Sequence, residues 1–328
     1  MLSDAMTGFD LLQPTTIVDA IELLDRYDRD AWILAGGYDS LDWFKDRVKK
    51  PKVVIDLEGI DELRGIRPIE SGLEIGAITQ LTSIEQNDLI RSSFPLLAEA
   101  TSKVASPQIR NAGTIGGNLC QDTRCWYYRY GVDCYRAGGN TCYAAAPEAM
   151  NREHAIFDAS RCVAVSPSDT APALVALDAV MVVHSARGKR SVAAADFFMP
   201  PSRDIQRMTV LEPGDLLTAI QIPEKWSSAD FYFEKIADRR AWDFALTSIA
   251  AAFRMEGSVI TDARMVSGAV SCVPHRFESV ESMLRGEERT LAIATRAGKI
   301  AVRGAEPLGK NEYKVSLVEN LVKRAIVG

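Results

Sequence analysis

The sequence is poor in the residues on which many hydrolases and metalloenzymes rely. It holds only three histidines, His154, His184 and His275, scattered through unrelated segments. No Ser–His–Asp order and no paired-metal signature surrounds them, so each reads as structural or exposed and no catalytic residue is assigned. Neither G-x-x-x-x-G-K-[ST] nor G-x-G-x-x-G occurs, so an NTP site or an ordinary Rossmann dinucleotide site is not indicated. A basic excess is also missing: 38 Lys and Arg stand against 44 Asp and Glu, a net charge of −6, and a nucleic-acid partner has no electrostatic support. No apolar run approaches the ~20 residues that cross a bilayer. The opening stretch MLSDAMTGFDLLQP lacks a basic segment followed by an apolar one, so it does not read as a secretory signal. The expectation is a cytoplasmic protein without a membrane span.

What is present is an ordinary globular composition, 47% apolar and 25% charged over 328 residues, long enough for two or three domains. Ile17, Ala20, Ile21, Leu23 and Leu24 share one face of a predicted helix over 16–27. The stretches AWILA (31–35) and KVVIDL (52–57) read as short buried strands. LEIG (73–76) is a strand leading into a helix, and residues 88–104 form helix interrupted at Pro95. SPQIRNAGTIGGNLCQDTRC (106–125) reads as a loop, and 121–160 stay irregular, a length of about forty residues that is uncommon in a compact domain unless it has a role. Cys162–Val165 reads as a strand, a helix begins near Pro172, VMVVHSA and KRSVAAADFF follow as a strand pair, and DLLTAIQIP (215–223) closes this domain. Beyond residue 226, FYFEKIA, SIAAAFRMEG and ARMVSGAV form a three-stranded antiparallel pattern, and two helices follow, around ESMLRG and KVSLVENLVKRAIV. The fold class is α+β, divided into 1–58, 59–225 with an insertion at about 119–162, and 226–328.

Two glycine-bearing loops stand out, AGGYDSL (35–41) and NAGTIGGN (111–118). Paired glycines let a backbone approach a ligand, and successive N–H groups can cradle an anion. Ser40 and Thr114 add hydroxyl donors. Either loop alone reads more readily as a tight turn than as a ligand site.

Cysteine is the anomaly. Four of six cysteines fall between Cys120 and Cys142, and a tight cluster in a reducing compartment points to metal or redox chemistry rather than disulfides. The spacing Cys125-x8-Cys134-x7-Cys142, with Cys162 beyond, lacks the C-x2–4-C pairs usual for structural zinc. An iron–sulfur cluster takes four thiolates, which an irregular loop can wrap around it. Unrelated buried cysteines remain the alternative. Cys272, far off in the C-terminal part, reads as a core residue. Trp126, Tyr127, Tyr128, Arg129, Tyr130, Tyr135 and Arg136 fill the loop; they either face an acidic partner or pack the loop onto its own domain.

The two glycine loops, taken with IGAIT (75–79), SPSDTAPAL (166–174), LEPGDLLTAIQIP (211–223) and FEKIADRRAWDFA (233–245), resemble the medium, FAD-binding subunit of the xanthine dehydrogenase and aldehyde oxidoreductase family over nearly the whole chain. That resemblance implies a two-part FAD-binding domain of the PCMH/VAO type, then a smaller α+β domain. It implies FAD contacts from Leu34, Ala35, Gly36, Gly37, Tyr38, Asp39, Ser40 and Leu41 in the first loop, and from Ala112, Gly113, Thr114, Gly116, Gly117 and Asn118 in the second. Thr79, Val104 and Ile109 belong to the same set. Asp169 matches an acid contacting the adenosine half, and Leu217 and Lys235 match positions near the isoalloxazine ring. Tyr38 departs from the Thr or His that relatives often carry.

The insertion beginning GGNLCQDTRC resembles that of the 4-hydroxybenzoyl-CoA reductase flavin subunit and of periplasmic aldehyde oxidoreductases, where the loop binds a [4Fe–4S] cluster. Carried over, the ligands are Cys125, Cys134, Cys142 and Cys162, with Cys120 spare. The resemblance further implies a redox relay between partners: a large molybdenum-cofactor subunit, a small subunit with two [2Fe–2S] clusters, and an external electron acceptor or donor. Aldehyde or heterocycle oxidation is the leading direction; reductive dehydroxylation of an aromatic CoA thioester and a free-standing VAO-type oxidase are the alternatives. Export with a signal-bearing subunit is the alternative to a cytoplasmic location.

Overall fold

The computed structural model of the chain describes residues 6–328. The first five residues, part of the stretch read as lacking a signal, lie outside the described residues. No described helix is long and apolar enough to cross a membrane.

The first part is a small parallel sheet. Strand β1 (Asp10–Leu12), helix α1 (Ile17–Tyr27), β2 (Ala31–Leu34), α2 (Tyr38–Lys45) and β3 (Val53–Asp56) follow in sequence, and the sheet order is β1-β3-β2. Parallel neighbours require crossovers, which α1 and α2 supply. The Thr16 hydroxyl caps α1 by accepting from the Asp19 N–H, and Ala20 and Leu24 bury its inner face. Every residue of β3 is buried, as a central parallel strand demands.

The second part is a five-stranded antiparallel sheet of order β4-β5-β8-β6-β7. It starts with the hairpin β4 (Ile66–Ile69) and β5 (Gly72–Gly76). Helices α3 (Leu81–Gln86), α4 (Asp88–Ser93) and α5 (Pro95–Ser102) follow, the break before Pro95 falling where its ring excludes a continuous helix. The segment read as a loop contains two short helices, α6 (Pro107–Arg110) and α7 (Ile115–Cys120). The insertion adds one helical turn, α8 (Trp126–Arg129), and two short 3-10 turns, Tyr135–Ala137 and Tyr143–Ala145, and is otherwise irregular. Cys162–Val165 is not a strand; it runs extended, and the Ala155 and Ser166 N–H groups bracket it by donating to Val163 and Ser271 carbonyls. Helix α9 (Thr170–Ala176), strands β6 (Val180–Ser185) and β7 (Gly188–Ala193), α10 (Ala194–Phe197) and β8 (Leu216–Pro223) complete this part.

The third part is the antiparallel sheet β12-β11-β10-β9. Its long strands β9 (Asp230–Ile236), β10 (Thr247–Glu256) and β11 (Val259–Gly268) are joined at the edge by β12 (His275–Arg276). Helices α11 (Glu278–Leu284), α12 (Leu291–Ala301) and α13 (Tyr313–Val327) cover it. Helix α12 is an addition to the two helices expected. Along α13, Val318, Leu321, Val322, Ala325 and Ile326 are buried, a 3.6-residue stripe laid on the sheet. Ile156 and Phe157, from the end of the insertion, join that same core.

Candidate functional site

A cavity of about 900 Å³ opens between the first two parts. Ala35, Gly36, Gly37, Tyr38, Asp39 and Ser40 line it from one side, and Gly113, Thr114, Gly116, Gly117 and Asn118 from another; Val104, Ile109, Asp169 and Leu217 also reach it. The two loops touch each other. A Cβ added to Gly36 would lie 2.4 Å from the Ala112 carbonyl oxygen and 2.8 Å from Gly113 Cα, so only glycine fits.

The loops differ in what their backbones can still donate. Gly37 takes φ +82 and starts α2, whose first-turn residues Tyr38, Asp39 and Ser40 line the cavity and have N–H groups without intrahelical partners. The second loop is largely satisfied within the fold. Gly116 N–H donates to the Ala77 carbonyl at 2.7 Å and Asn118 N–H to that of Thr114 at 2.9 Å, while Gly117 N–H donates to the Thr114 hydroxyl. It is a wall more than a cradle. Asn118 Oδ1 accepts from both the Ser168 and Thr170 hydroxyls at 2.6 Å, which clamps the 166–170 turn against α7.

Leu34, Leu41, Thr79, Ala112 and Lys235 do not line the cavity. Thr79 is buried and its hydroxyl pairs with both the N–H and the carbonyl of Gly65, so it ties the chain beneath the site. Lys235 is neither an exposed strand-end lysine nor open to the cavity. Its ammonium donates to Asp169 Oδ2 at 2.6 Å and to the carbonyls of Lys103 and Asp243 at 2.9 and 2.8 Å. Burial pushes the Asp169 carboxyl up, and Lys235 draws it back. Trp32, Trp242 and Phe244 line the cavity as well; Trp32 donates its indole N–H to the Ser40 hydroxyl at 2.9 Å. Trp242 is 68% exposed and is pinned by its N–H to the Ala105 carbonyl. The AWDFA stretch that carries it was legible in sequence only as part of a longer pattern.

The cysteine insertion starts at the edge of this cavity and is anchored to it through one carboxylate. Asp39 accepts from Trp43 Nε1, from the Asp122 N–H and from the Arg129 guanidinium, with Arg124 3.7 Å away. Arg124 also lies over the Phe244 ring at 4.7 Å. Past this anchor, Cys125, Cys134, Cys142 and Cys162 all line one small, partly open cavity. All are free thiols, and Cys120 is an exposed one apart from them, lining the larger cavity instead. Among the described residues no three His, Cys, Asp or Glu side chains surround a single-ion position.

The thiols are not alone. His154 Nε2 lies 3.2 Å from Cys125 Sγ, and burial pushes its imidazole down to about 4. Cys272 is no isolated core residue: it packs against Cys162 and accepts from Arg136 Nη2 at 3.4 Å. A hydrogen bond from Cys272, with the nearby Arg136 charge, holds the Cys162 thiol below its usual value. Burial pushes Cys125 up to about 11 and Cys142 upward. On the loop surface Trp126 stacks on Tyr130 with both exposed, whereas Tyr128 is buried against Trp43. The aromatics therefore divide between packing and display.

Residues 7–225 match the family described as FAD binding domain in molybdopterin dehydrogenase, which spans both sides of the large cavity. This chain belongs to that family. Residues 232–327 match the CO dehydrogenase flavoprotein C-terminal domain. The chain is 34% identical to the aldehyde oxidoreductase FAD-binding subunit PaoB of Escherichia coli over 88% of each chain. It is 29% identical to the carbon monoxide dehydrogenase medium chain of Hydrogenophaga pseudoflava over 97% of this chain and 96% of that one. The solved carbon monoxide dehydrogenase of that organism superposes with a TM-score of 0.79 at 27% identity, covering 98% and 97% of the two chains. The chain is an FAD-binding, electron-relaying subunit of a molybdenum hydroxylase-type oxidoreductase, with the fold class expected from its sequence.

Proposed function

We propose that the chain carries a [4Fe–4S] cluster as well as FAD, and relays electrons between a molybdenum subunit and an external acceptor during oxidation of an aldehyde or heterocycle. The observation that carries the cluster is the convergence of Cys125, Cys134, Cys142 and Cys162 on one small cavity. Flavin chemistry supplies the step between one-electron and two-electron carriers. On this reading the first turn of α2 and the Ser40 hydroxyl meet the FAD pyrophosphate, as helix N-termini do for anions, and the second glycine loop shapes the opposite wall. Asp169, held by Lys235, faces the adenosine half, and Leu217 lies by the ring system. Lys235 then acts through Asp169 and not on the flavin directly.

The similarity to the PaoB subunit of an aldehyde oxidoreductase favours aldehydes as substrate class. The partners are a large molybdenum-cofactor subunit and a small subunit with two [2Fe–2S] clusters, in the cytoplasm or exported with them, and the three parts 1–58, 59–225 and 226–328 are the folding units. The test is to quantify FAD, iron and acid-labile sulfide on the anaerobically purified chain. One FAD with about four iron and four sulfide per chain supports the reading. Cys125→Ser is expected to lose the iron and keep the flavin. FAD with no iron in the unmodified chain removes the cluster and leaves the family assignment standing.

A further inference from the structure

Three polar groups press on the cysteine cavity from outside the ligand set, and two lack enough protein partners of their own. Arg136 is buried with its side chain 1% exposed. Its guanidinium reaches Cys272 Sγ at 3.4 Å and the Gln206 carbonyl at 3.5 Å, and its nearest carboxylate, Asp122, lies 3.7 Å away. Its Nε has no partner among the described residues, and neither has His154 Nδ1. A buried guanidinium so thinly paired is costly in a protein interior. A countercharge closer than Asp122 would pair it more fully. Four thiolates around an iron–sulfur core are such a countercharge, and Arg136 lines that cavity.

We propose that Arg136 raises the reduction potential of the cluster held by Cys125, Cys134, Cys142 and Cys162, assisted by Cys272 beside Cys162 and His154 beside Cys125. The inference rests on the cluster reading above. Adding one electron to a cluster adds one negative charge; no bond forms or breaks and no proton is needed. The electron comes from reduced flavin or the molybdenum side in the enzyme, and from dithionite in the test. A fixed positive charge in a low-dielectric pocket favours the more negative state, and hydrogen bonds to cysteine sulfurs act in the same direction. Arg136, Cys272 and His154 are positioning residues, since none is placed as a ligand or in contact with substrate. Arg136 comes from the insertion and Cys272 from the C-terminal domain, so the domain junction itself takes part in setting the potential.

The test uses the whole complex, with iron and sulfide counted for every variant before any potential is read. Dithionite titration with redox mediators, followed by low-temperature EPR, gives the midpoint of the four-iron cluster apart from any two-iron ones. Arg136→Met is expected to shift the one-electron equilibrium against reduction by at least about tenfold, about 59 mV lower. Arg136→Lys keeps the charge and is expected to keep more than half of that difference. Cys272→Ala and His154→Phe each lower the equilibrium about threefold by removing one hydrogen bond. A purely structural role for these residues changes iron content or thermal stability and leaves the midpoint where it was. If Arg136→Met loads its iron and titrates within twofold of the parent, the inference is overturned. If Arg136→Met does not load, the midpoints of Arg136→Lys, Cys272→Ala and His154→Phe decide, and unmoved values in these overturn it equally. A parent complex with no four-iron cluster overturns the underlying reading instead, which keeps the two failures apart.

Discussion

Gly36→Ala probes the contact on which the cavity depends. The new methyl carbon would sit 2.4 Å from the Ala112 carbonyl oxygen and 2.8 Å from Gly113 Cα, both backbone atoms that no rotamer change can move. Restoring van der Waals contact requires the two glycine loops to separate by about 1 Å. Overpacking of this kind costs about 1–3 kcal/mol. If the strain falls on the bound geometry of the loops, FAD affinity weakens by about 5- to 150-fold, using 1.4 kcal/mol per factor of ten. The assay is quenching of flavin fluorescence on titrating FAD with the flavin-free chain, alongside the thermal midpoint of that flavin-free chain. A dissociation constant within twofold of the parent refutes the reasoning, because the loops would then not share the ligand. A lower thermal midpoint with unchanged affinity places the contact in the fold and not in the site.

Two further outcomes follow from buried cations. Lys235→Met strips Asp169 of its ion pair, in which both side chains are less than a tenth exposed, and is expected to cost about 3 kcal/mol in urea denaturation; a loss below about 0.5 kcal/mol contradicts it. Lys314 is fully buried, donates to the Glu153 and Ala269 carbonyls at 2.9 and 2.8 Å, and is pushed down to about 7 by burial, Glu153 opposing and Arg152 adding to the shift. The folded chain therefore holds fewer protons than the unfolded one between about pH 7 and the ordinary lysine value near 10.4, and stability from this group rises with pH across that window. Relative to Lys314→Met, the parent gains up to about 1.4 kcal/mol per pH unit there, read from urea midpoints at pH 7 and pH 9; parallel midpoints refute it.

Much of this architecture was legible from short patterns. The strands over 31–34 and 53–56 and the helix over 17–27 follow from apolar runs and period. Helices α6 and α7 were not, for a physical reason. They span four and six residues, too few for a 3.6-residue period to show, and α7 carries adjacent glycines of low helix propensity. Packing requires one of them: a Cβ on Gly116 would meet the Ala77 carbonyl at 2.7 Å. The run from Cys162 to Val165 has strand composition but no neighbouring strand to complete a ladder, a tertiary fact absent from local sequence. Which residues border the large cavity was largely legible, through family resemblance. The turning of Lys235 toward Asp169 was not, nor was the proximity of Cys272 to Cys162, since 109 residues of chain lie between those two cysteines.

An irregular insertion of about forty residues has a thermodynamic problem that the rest of the fold does not. Ordering each backbone residue costs about 1–2 kcal/mol, and without a sheet or long helix few ladder bonds repay it. The structure answers with polar anchors at both ends. Asp39 holds the start through Asp122 and Arg129. The end is gripped by the C-terminal domain, where Asn311 donates to the carbonyls of His154 and Ala155, Lys314 donates to Glu153, and Asn151 accepts from the Lys310 N–H. Between these anchors stand Cys125, Cys134 and Cys142, in a stretch held by short turns alone. On the proposed reading, ligation there would add binding free energy to the loop, because a site absent from the unfolded chain turns metal binding into folding. On the same reading, a cluster bound only within 125–142 would staple the loop to itself, whereas one that includes Cys162 would tie it to the domain.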